Sequence, residues 1–188
     1  MINLEKAKVV RGWMNDHELE WLANAVKRAT VIIEVGCAYG RTTRAIVDNS
    51  YCSTLYAVDT WRGSPAELNS NHEDFKNEKG DFAYLEFCKE MFYSIRSSKV
   101  VPLRMDSANA AQLLSSQGVK ADFIFIDADH SYESVKADVA NYGPLVAMGG
   151  ILAGHDYKSS SWPDVTKAVA EIFPDVENPA GHIWMKRN

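Results

Sequence analysis

Apolar residues along this chain follow two alternating rhythms. Asn15 with Glu18 three places on forms a capping box, and Leu19, Leu22, Ala23 and Val26 then recur at helical spacing. That predicts an amphipathic helix over about 16–28. Residues 31–36, Val-Ile-Ile-Glu-Val-Gly, form a continuous β-branched run ending in glycine, the pattern of a strand covered on both faces. The alternation continues with a helix from Arg41 to about Asp48, a strand over 55–59 and a helix over 81–97. A short strand over 99–104 contains Pro102, which argues against a central place in a sheet. After a helix near 107–116, residues 121–127 give the clearest buried strand. From Ser131 to about Tyr142 the pattern is helical, with Tyr132, Val135 and Val139 on one face, and Gly149-Gly150 turns into a strand over 151–156. Pro163, after Trp162, opens a last helix with Val165, Ala168, Val169 and Ile172 as its stripe, and 182–187 closes as a strand.

Strands alternating with helices predict an α/β fold, a parallel sheet covered on both faces. The rhythm breaks over 60–80, a polar stretch holding one proline and two glycines. Loops of that length in compact domains serve as lids or binding segments.

In such a sheet, ligands bind beyond the carboxyl ends of the strands, where strand order reverses. The first strand runs out through Glu34-Val35-Gly36-Cys37-Ala38-Tyr39-Gly40-Arg41-Thr42. Gly36 permits a sharp turn, and Gly40 lets the backbone pass close to a ligand at the next helix's N-terminus. Glu34 stands in an apolar strand, where an unpaired carboxylate is costly, so it is expected to bond backbone amides or a cationic ligand. The loop lacks the third glycine of G-x-G-x-x-G, and no G-x-x-x-x-G-K-[ST] occurs, which disfavours a pyrophosphate cradle. Asp59 ends the second strand 19 positions past Gly40, where an acid accepts both ribose hydroxyls. Glycine loop and acid together indicate a nucleoside site.

Composition narrows the class. At 188 residues the chain is expected to be a single domain, 1–188. Its 20 basic and 25 acidic residues give a net charge of -5, which argues against a phosphate-tracking nucleic-acid binder. Cys37, Cys52 and Cys88 are scattered, so neither a disulfide framework nor a cysteine zinc site is expected. The first residues lack the apolar core of a signal peptide, and no window approaches 18 apolar residues. A soluble cytoplasmic protein with no membrane partner is the expectation.

The E-x-G-x-x-x-G loop with Asp59 resembles class I S-adenosylmethionine-dependent methyltransferases. Residues 125–139 (FIDADHSYESVKADV) and 144–157 (PLVAMGGILAGHDY) resemble their small-domain group, methyltransferase family 24, related to macrolide-sugar and catechol O-methyltransferases. The resemblance runs from about residue 30 to the C-terminus. It implies a Rossmann-like, doubly wound seven-stranded sheet, mostly parallel with an antiparallel C-terminal strand, and S-adenosylmethionine as cofactor. Glu34, Gly36, Ala38, Tyr39, Gly40 and Thr42 would serve the methionine side of that cofactor. Asp59, with Thr60 and Trp61 beside it, would hold the ribose, Asp106 and Ser107 would flank the adenine, and Asp127 would border the site.

Asp127, Asp129 and His130 follow the fourth predicted strand, and His155-Asp156 follow the fifth. If these strands are neighbours, both groups share one rim, where carboxylate oxygens suit Mg²⁺ or Mn²⁺ better than zinc. In the related sugar O-methyltransferases an aspartate at the fourth strand end and an acidic pair after the fifth bind a divalent metal, and a histidine three residues past that aspartate is the base. By resemblance Asp127 and Asp156 would be metal ligands and His130 the base. His155 stands where an acid is expected, leaving a softer or weaker metal site, or none, with His155 as a second base.

Acidity weighs on that choice. Full proton transfer from an aliphatic hydroxyl, pKa about 15.7, to a histidine near 6.5 runs uphill by roughly 12 kcal/mol. A phenol near pKa 10 leaves roughly 5 kcal/mol.

The expected activity is methyl transfer from S-adenosylmethionine to a hydroxyl of a small molecule (sugar, polyol or phenol), with or without a divalent metal. Two other readings remain. Asp127-Ala128-Asp129 matches the D-x-D of metal-dependent glycosyltransferases, and a degenerate fold can bind the cofactor without transferring methyl groups. Tyr132-x-x-x-Lys136 has the spacing of short-chain dehydrogenases without their glycine loop. Plainer roles are a helix cap for Asp106 and Asp129, surface positions for His17, His72 and His182, and packing for Trp13, Trp21 and Trp184. A chain this short leaves acceptor recognition to the stretch 60–98, to the first thirty residues, or to a neighbouring subunit in a homodimer.

Overall fold

A computed structural model describes residues 2–64 and 81–188. Among these residues the elements run α1 (Glu5–Val9), α2 (Asp16–Ala25), β1 (Val31–Val35), α3 (Arg41–Asn49), β2 (Thr54–Asp59), α4 (Phe82–Glu90), α5 (Phe92–Arg96), β3 (Val100–Arg104) and α6 (Ser107–Ser116). The order continues with β4 (Ala121–Ile126), α7 (Tyr132–Tyr142), β5 (Val146–Gly154), α8 (Pro163–Ile172), β6 (Glu177–Ala180) and β7 (Ile183–Arg187). The described strands form one seven-stranded sheet, ordered β3-β2-β1-β4-β5-β7-β6. Strands β1 to β5 pair in parallel, while β7 runs antiparallel to β5 and β6. Strand order therefore reverses between β1 and β4.

Each buried strand feeds both faces. Ile32 packs with Leu19, Leu22, Ile46 and Phe87 beneath α1–α4, while Ile33 and Val35 pack with Leu114, Val139 and Val169 beneath α6–α8. The Asn15–Glu18 capping box is present at the start of α2. Arg41, the first residue of α3, ties down the segment before α2. Its Nη1 donates to the carbonyls of Ala7, Lys8 and Val10 at 3.4, 2.9 and 3.0 Å, and its Nε to that of Met14 at 2.9 Å.

Several boundaries differ from the sequence pattern. The helix expected over 81–97 divides into α4 and α5 at Met91, whose φ of -95° and ψ of 7° leave the helical region. Strand β5 begins at Val146, ahead of Gly149-Gly150, because a register shift separates the Ala121–Val146 pair from Phe123–Ile151. Helix α1 and strand β6 had no periodic signal; β6 reads Glu-Asn-Pro-Ala and is largely exposed. The expected recognition stretch 60–98 falls partly outside the described residues, since 65–80 are not among them. No described helix is long and apolar enough to cross a membrane.

Glu34 shares the face of β1 covered by α3. Its carboxyl is fully buried, and neither oxygen completes a hydrogen bond. The expectation of backbone-amide partners is therefore not met. Burial pushes its pKa up from 4.5 to about 8, and the nearby Thr43 and Thr42 hydroxyls offset only part of this. Between those two values the folded chain keeps a proton that the unfolded chain has released. Stability therefore falls as pH rises from 4.5 to about 8, by at most about 5 kcal/mol at 1.36 kcal/mol per pH unit. Glu34→Gln is expected to remove that slope, matching the parent near pH 5 and melting several degrees higher near pH 9. Thermal unfolding across this range checks it, and an unchanged slope would assign the loss to another group.

Candidate active site

Beyond the carboxyl ends of β1, β2, β4 and β5 lies a cavity of about 670 Å³. Its floor is the glycine loop between β1 and α3. Gly36 has φ +88°, and a Cβ there would lie 1.8 Å from the Asp127 carbonyl oxygen, so only glycine fits between the ends of β1 and β4. Gly40, φ +92°, caps α3.

Asp59 holds this loop in shape. Its Oδ2 accepts from the amides of Cys37 and Ala38 at 2.8 Å each, and its Oδ1 accepts from the Trp61 amide at 2.6 Å. A carboxylate has about four acceptor positions, so capacity remains for a ligand hydroxyl. Trp61 departs from its expected place beside the ribose. Its indole is buried against Tyr84 and Phe87, donates to the Ala38 carbonyl at 2.7 Å, and does not line the cavity. Glu34 and Gly40 also stop short of the wall, whereas Gly36, Ala38, Tyr39, Thr42, Asp59 and Thr60 reach it.

Asp106 and Ser107, expected to flank the adenine, line the cavity. Asp106 is also a helix cap: its Oδ1 accepts from the Asn109 amide at 2.9 Å and its Oδ2 from the Asn109 side chain at 2.5 Å. Those bonds hold its carboxyl below the usual aspartate range. Across from it, Asp138 of α7 is buried in the wall. Burial raises its pKa to about 6, partly countered by the Ser107 hydroxyl.

The strand ends of β4 and β5 bring Asp127, His130, His155 and Asp156 to one rim, as the spacing predicts. His130 Nε2 lies 2.9 Å from Asp156 Oδ2 and 3.9 Å from Asp127 Oδ1. The His130 ring stacks on Trp162, centroids 4.2 Å apart and planes 13° from parallel. His155 Nδ1 faces Asp156 Oδ2 at 3.4 Å and Asp127 Oδ1 at 3.8 Å. Its Nε2 faces Glu18 Oε2 at 3.3 Å. Burial alone would lower the His155 pKa, but the Asp127 charge and contacts with Asp156 and Glu18 hold it at about 11. Glu18 and Asp156 respond in kind. Against burial, which would raise both, Glu18 is held at about 2 and Asp156 lower still, chiefly by the facing histidines.

Asp127, His130 and Asp156 bring one ligand atom each within 4.8 Å of one another, a set that can meet a single ion. His155, expected as a metal ligand, is not one of the three. Asp129 also lines the cavity, but its Oδ1 accepts from the Ser131 amide at 2.7 Å, and Ser131 itself caps α7. Asp129 is not among the three residues whose ligand atoms converge, so the D-x-D pair does not form a shared ion site among the described residues. Tyr132 and Lys136 both bind Glu171 of α8, at 2.5 and 2.9 Å, and do not line the cavity, which removes the dehydrogenase-like pair.

Sequence reasoning missed Glu18, His182, Trp13 and Trp162 as site residues, all of which line the cavity. Glu18 read only as a capping residue, and His182 as a surface group, because the turn that joins them closes 164 residues apart. Trp13 is 49% exposed at the wall rather than packed inside. An exposed tryptophan leaves no periodic trace in a sequence.

Comparison with known proteins agrees with this geometry. A family model described as Methyltransferase domain, of methyltransferase family 24, matches residues 33–157. An uncharacterised protein of Acanthamoeba polyphaga mimivirus is 26% identical over 188 residues, spanning 94% of this chain and 78% of that protein. Among solved structures, the calicheamicin methyltransferase CalS11 superposes with a TM-score of 0.65 at 19% identity, covering 90% of this chain and 75% of that one. The O-methyltransferase NovP gives 0.58 at 18% identity, covering 90% and 78%. Likeness at such identities concerns the fold, and the family match carries the assignment. The chain belongs to the methyltransferase domain family and is a class I S-adenosylmethionine-dependent methyltransferase.

Proposed function

We propose that this methyltransferase acts on a hydroxyl oxygen of a small molecule, a phenol before a sugar or polyol, with His130 as the base. The observation that carries this reading is the His130–Asp156 couple at 2.9 Å, set on the cavity wall beside Asp127. Methyl transfer needs an acceptor oxygen in line with the methyl group and the sulfur, and a group to receive the hydroxyl proton. Holding the reactants in that line supplies as much as about 7–11 kcal/mol.

Asp156 accepts from His130 Nε2, so neutral His130 carries its proton there and its basic nitrogen is Nδ1. Nδ1 is enclosed in this structure, so the ring turns or Asp156 releases Nε2 when an acceptor enters. The Trp162 face then lies under the imidazolium that forms, where cation–π attraction favours the charged state. The net charge of -5 favours a small acceptor over a nucleic acid.

A divalent ion such as Mg²⁺ or Mn²⁺ would polarise the acceptor oxygen if Asp127, His130 and Asp156 held one. His155 stands beside those carboxylates where a further acid would complete an all-oxygen set.

Calorimetry with S-adenosylmethionine and S-adenosylhomocysteine is expected to give one site per chain, and Asp59→Ala to weaken it about tenfold or more through the loosened loop. Binding of neither compound would end the proposal. In a radiolabelled methyl-transfer screen over phenols, sugars and polyols, phenols are expected to turn over fastest. His130→Ala should then lose about 10²–10⁴-fold in rate with cofactor affinity retained. A His130→Ala enzyme of full activity would assign the proton to another group.

A further inference from the structure

Residues 10–14, between α1 and α2, form an arch along the cavity wall. Val10 and Met14 are its feet, both buried in the core beneath α1–α4. Between them Arg11, Gly12 and Trp13 line the cavity. The span belongs to neither helix, so its carbonyls need partners outside a helical ladder.

One side chain supplies them. Arg41 Nη1 donates to the Val10 carbonyl and Nε to the Met14 carbonyl, at 3.0 and 2.9 Å, so a single guanidinium clasps both feet. Gly12 rests on the stem of that side chain. A Cβ there would lie 2.7 Å from Arg41 Cδ and 2.8 Å from Arg41 Cβ. The Gly12 backbone is not left-handed, so this contact alone calls for glycine. A stem held at its far end by carbonyls has little room to yield.

The arch also joins the two halves of the site. On one side the Arg11 guanidinium lies 4.5 Å over the ring of Tyr39 in the glycine loop, and Trp13 stands 6.3 Å from the same ring. On the other, the Asn15 amide donates to Glu18 Oε2 at 3.0 Å, and that oxygen faces His155 on the rim at 3.3 Å. Trp13, 49% exposed and two places before Asn15, is thus held between loop and rim. We propose that this arch is the acceptor subsite, taking an aromatic ring against Trp13, and that Arg41 is its positioning residue. Arg41 directly follows Gly40, so the element that shapes the cofactor loop also sets the wall for the acceptor.

That the ligand is a methyl acceptor rests on the proposed function, whereas binding needs neither base nor turnover. A ring preference without methyl transfer would therefore sink the hydroxyl reading and leave this one standing. Phenol and cyclohexanol, a pair that differs in the flat ring, are titrated into the full chain by ligand-observed NMR, with and without S-adenosylhomocysteine. The parent is expected to bind phenol about fivefold tighter. Trp13→Ala should erase that preference and Trp13→Phe should keep most of it. Arg41→Lys retains the charge but not the fork, and should erase it too. Gly12→Ala should do the same with S-adenosylhomocysteine affinity changed by no more than about twofold, and should lower the melting temperature only while Arg41 is present, being silent in Arg41→Ala. A parent that binds both probes alike, or neither, would overturn the proposal. So would a Trp13→Ala or Arg41→Lys chain with the parent's preference, or a Gly12→Ala effect as large without Arg41 as with it.

Discussion

Everything in this site depends on β1 and β4 running side by side with no side chain between their ends. The Asp127 amide donates to the Val35 carbonyl at 2.7 Å, and the Asp127 carbonyl lies where a Cβ on residue 36 would be. That approach is possible only because Gly36 has no side chain and takes φ +88°. It places the floor of the cofactor loop against the first acid of the rim, at the point where strand order reverses. A ligand bound on the loop would therefore lie within reach of Asp127. Gly154 does for β4 and β5 what Gly36 does for β1 and β4. A Cβ there would lie 2.5 Å from the Ile126 carbonyl and 2.6 Å from the Trp184 ring, and the residue after it is His155.

The electrostatics follow from that crowding. Glu18, Asp127 and Asp156 converge on a rim largely withdrawn from solvent, and three carboxylates so placed would repel one another and lose hydration. Buried charges persist when paired, and removing one partner of such a set is costly because the other is left uncompensated. An acid at position 155 would add a fourth negative charge and call for an external cation. The histidine there adds none. His155 and the buried Glu18 meet at 3.3 Å, although they lie on opposite ends of the sequence.

Much of this was open to inspection in the sequence. The β-branched run at 31–35, the glycine pair and the aspartates after β2 and β4 carry local signatures, and each marks a place where the backbone or a ligand restricts the residue type. The rim at Asp127, His130, His155 and Asp156 was likewise visible once two strand ends were taken as neighbours. Glu18 was not, because its capping-box spacing already explains it and its contact with His182 spans 164 positions. Trp61 misled for the opposite reason. It stands two places after Asp59, yet φ +54° swings its side chain into the core, and no pattern of apolar residues foretells a left-handed tryptophan. Strand β6 has neither alternation nor burial to declare it and exists because β7 offers an edge.

The strength of the base proposed at the rim constrains what it could methylate. Against a gap of roughly 12 kcal/mol for an aliphatic hydroxyl, proton removal would have to be largely concerted with methyl transfer. Against roughly 5 kcal/mol for a phenol, a histidine oriented by Asp156 and backed by Trp162 meets a barrier that alignment alone can offset. A flat phenol also suits a wall where Trp13 stands half exposed beside Tyr39, ring centroids 6.3 Å apart. Of the proposed acceptors, a phenol asks least of such a base.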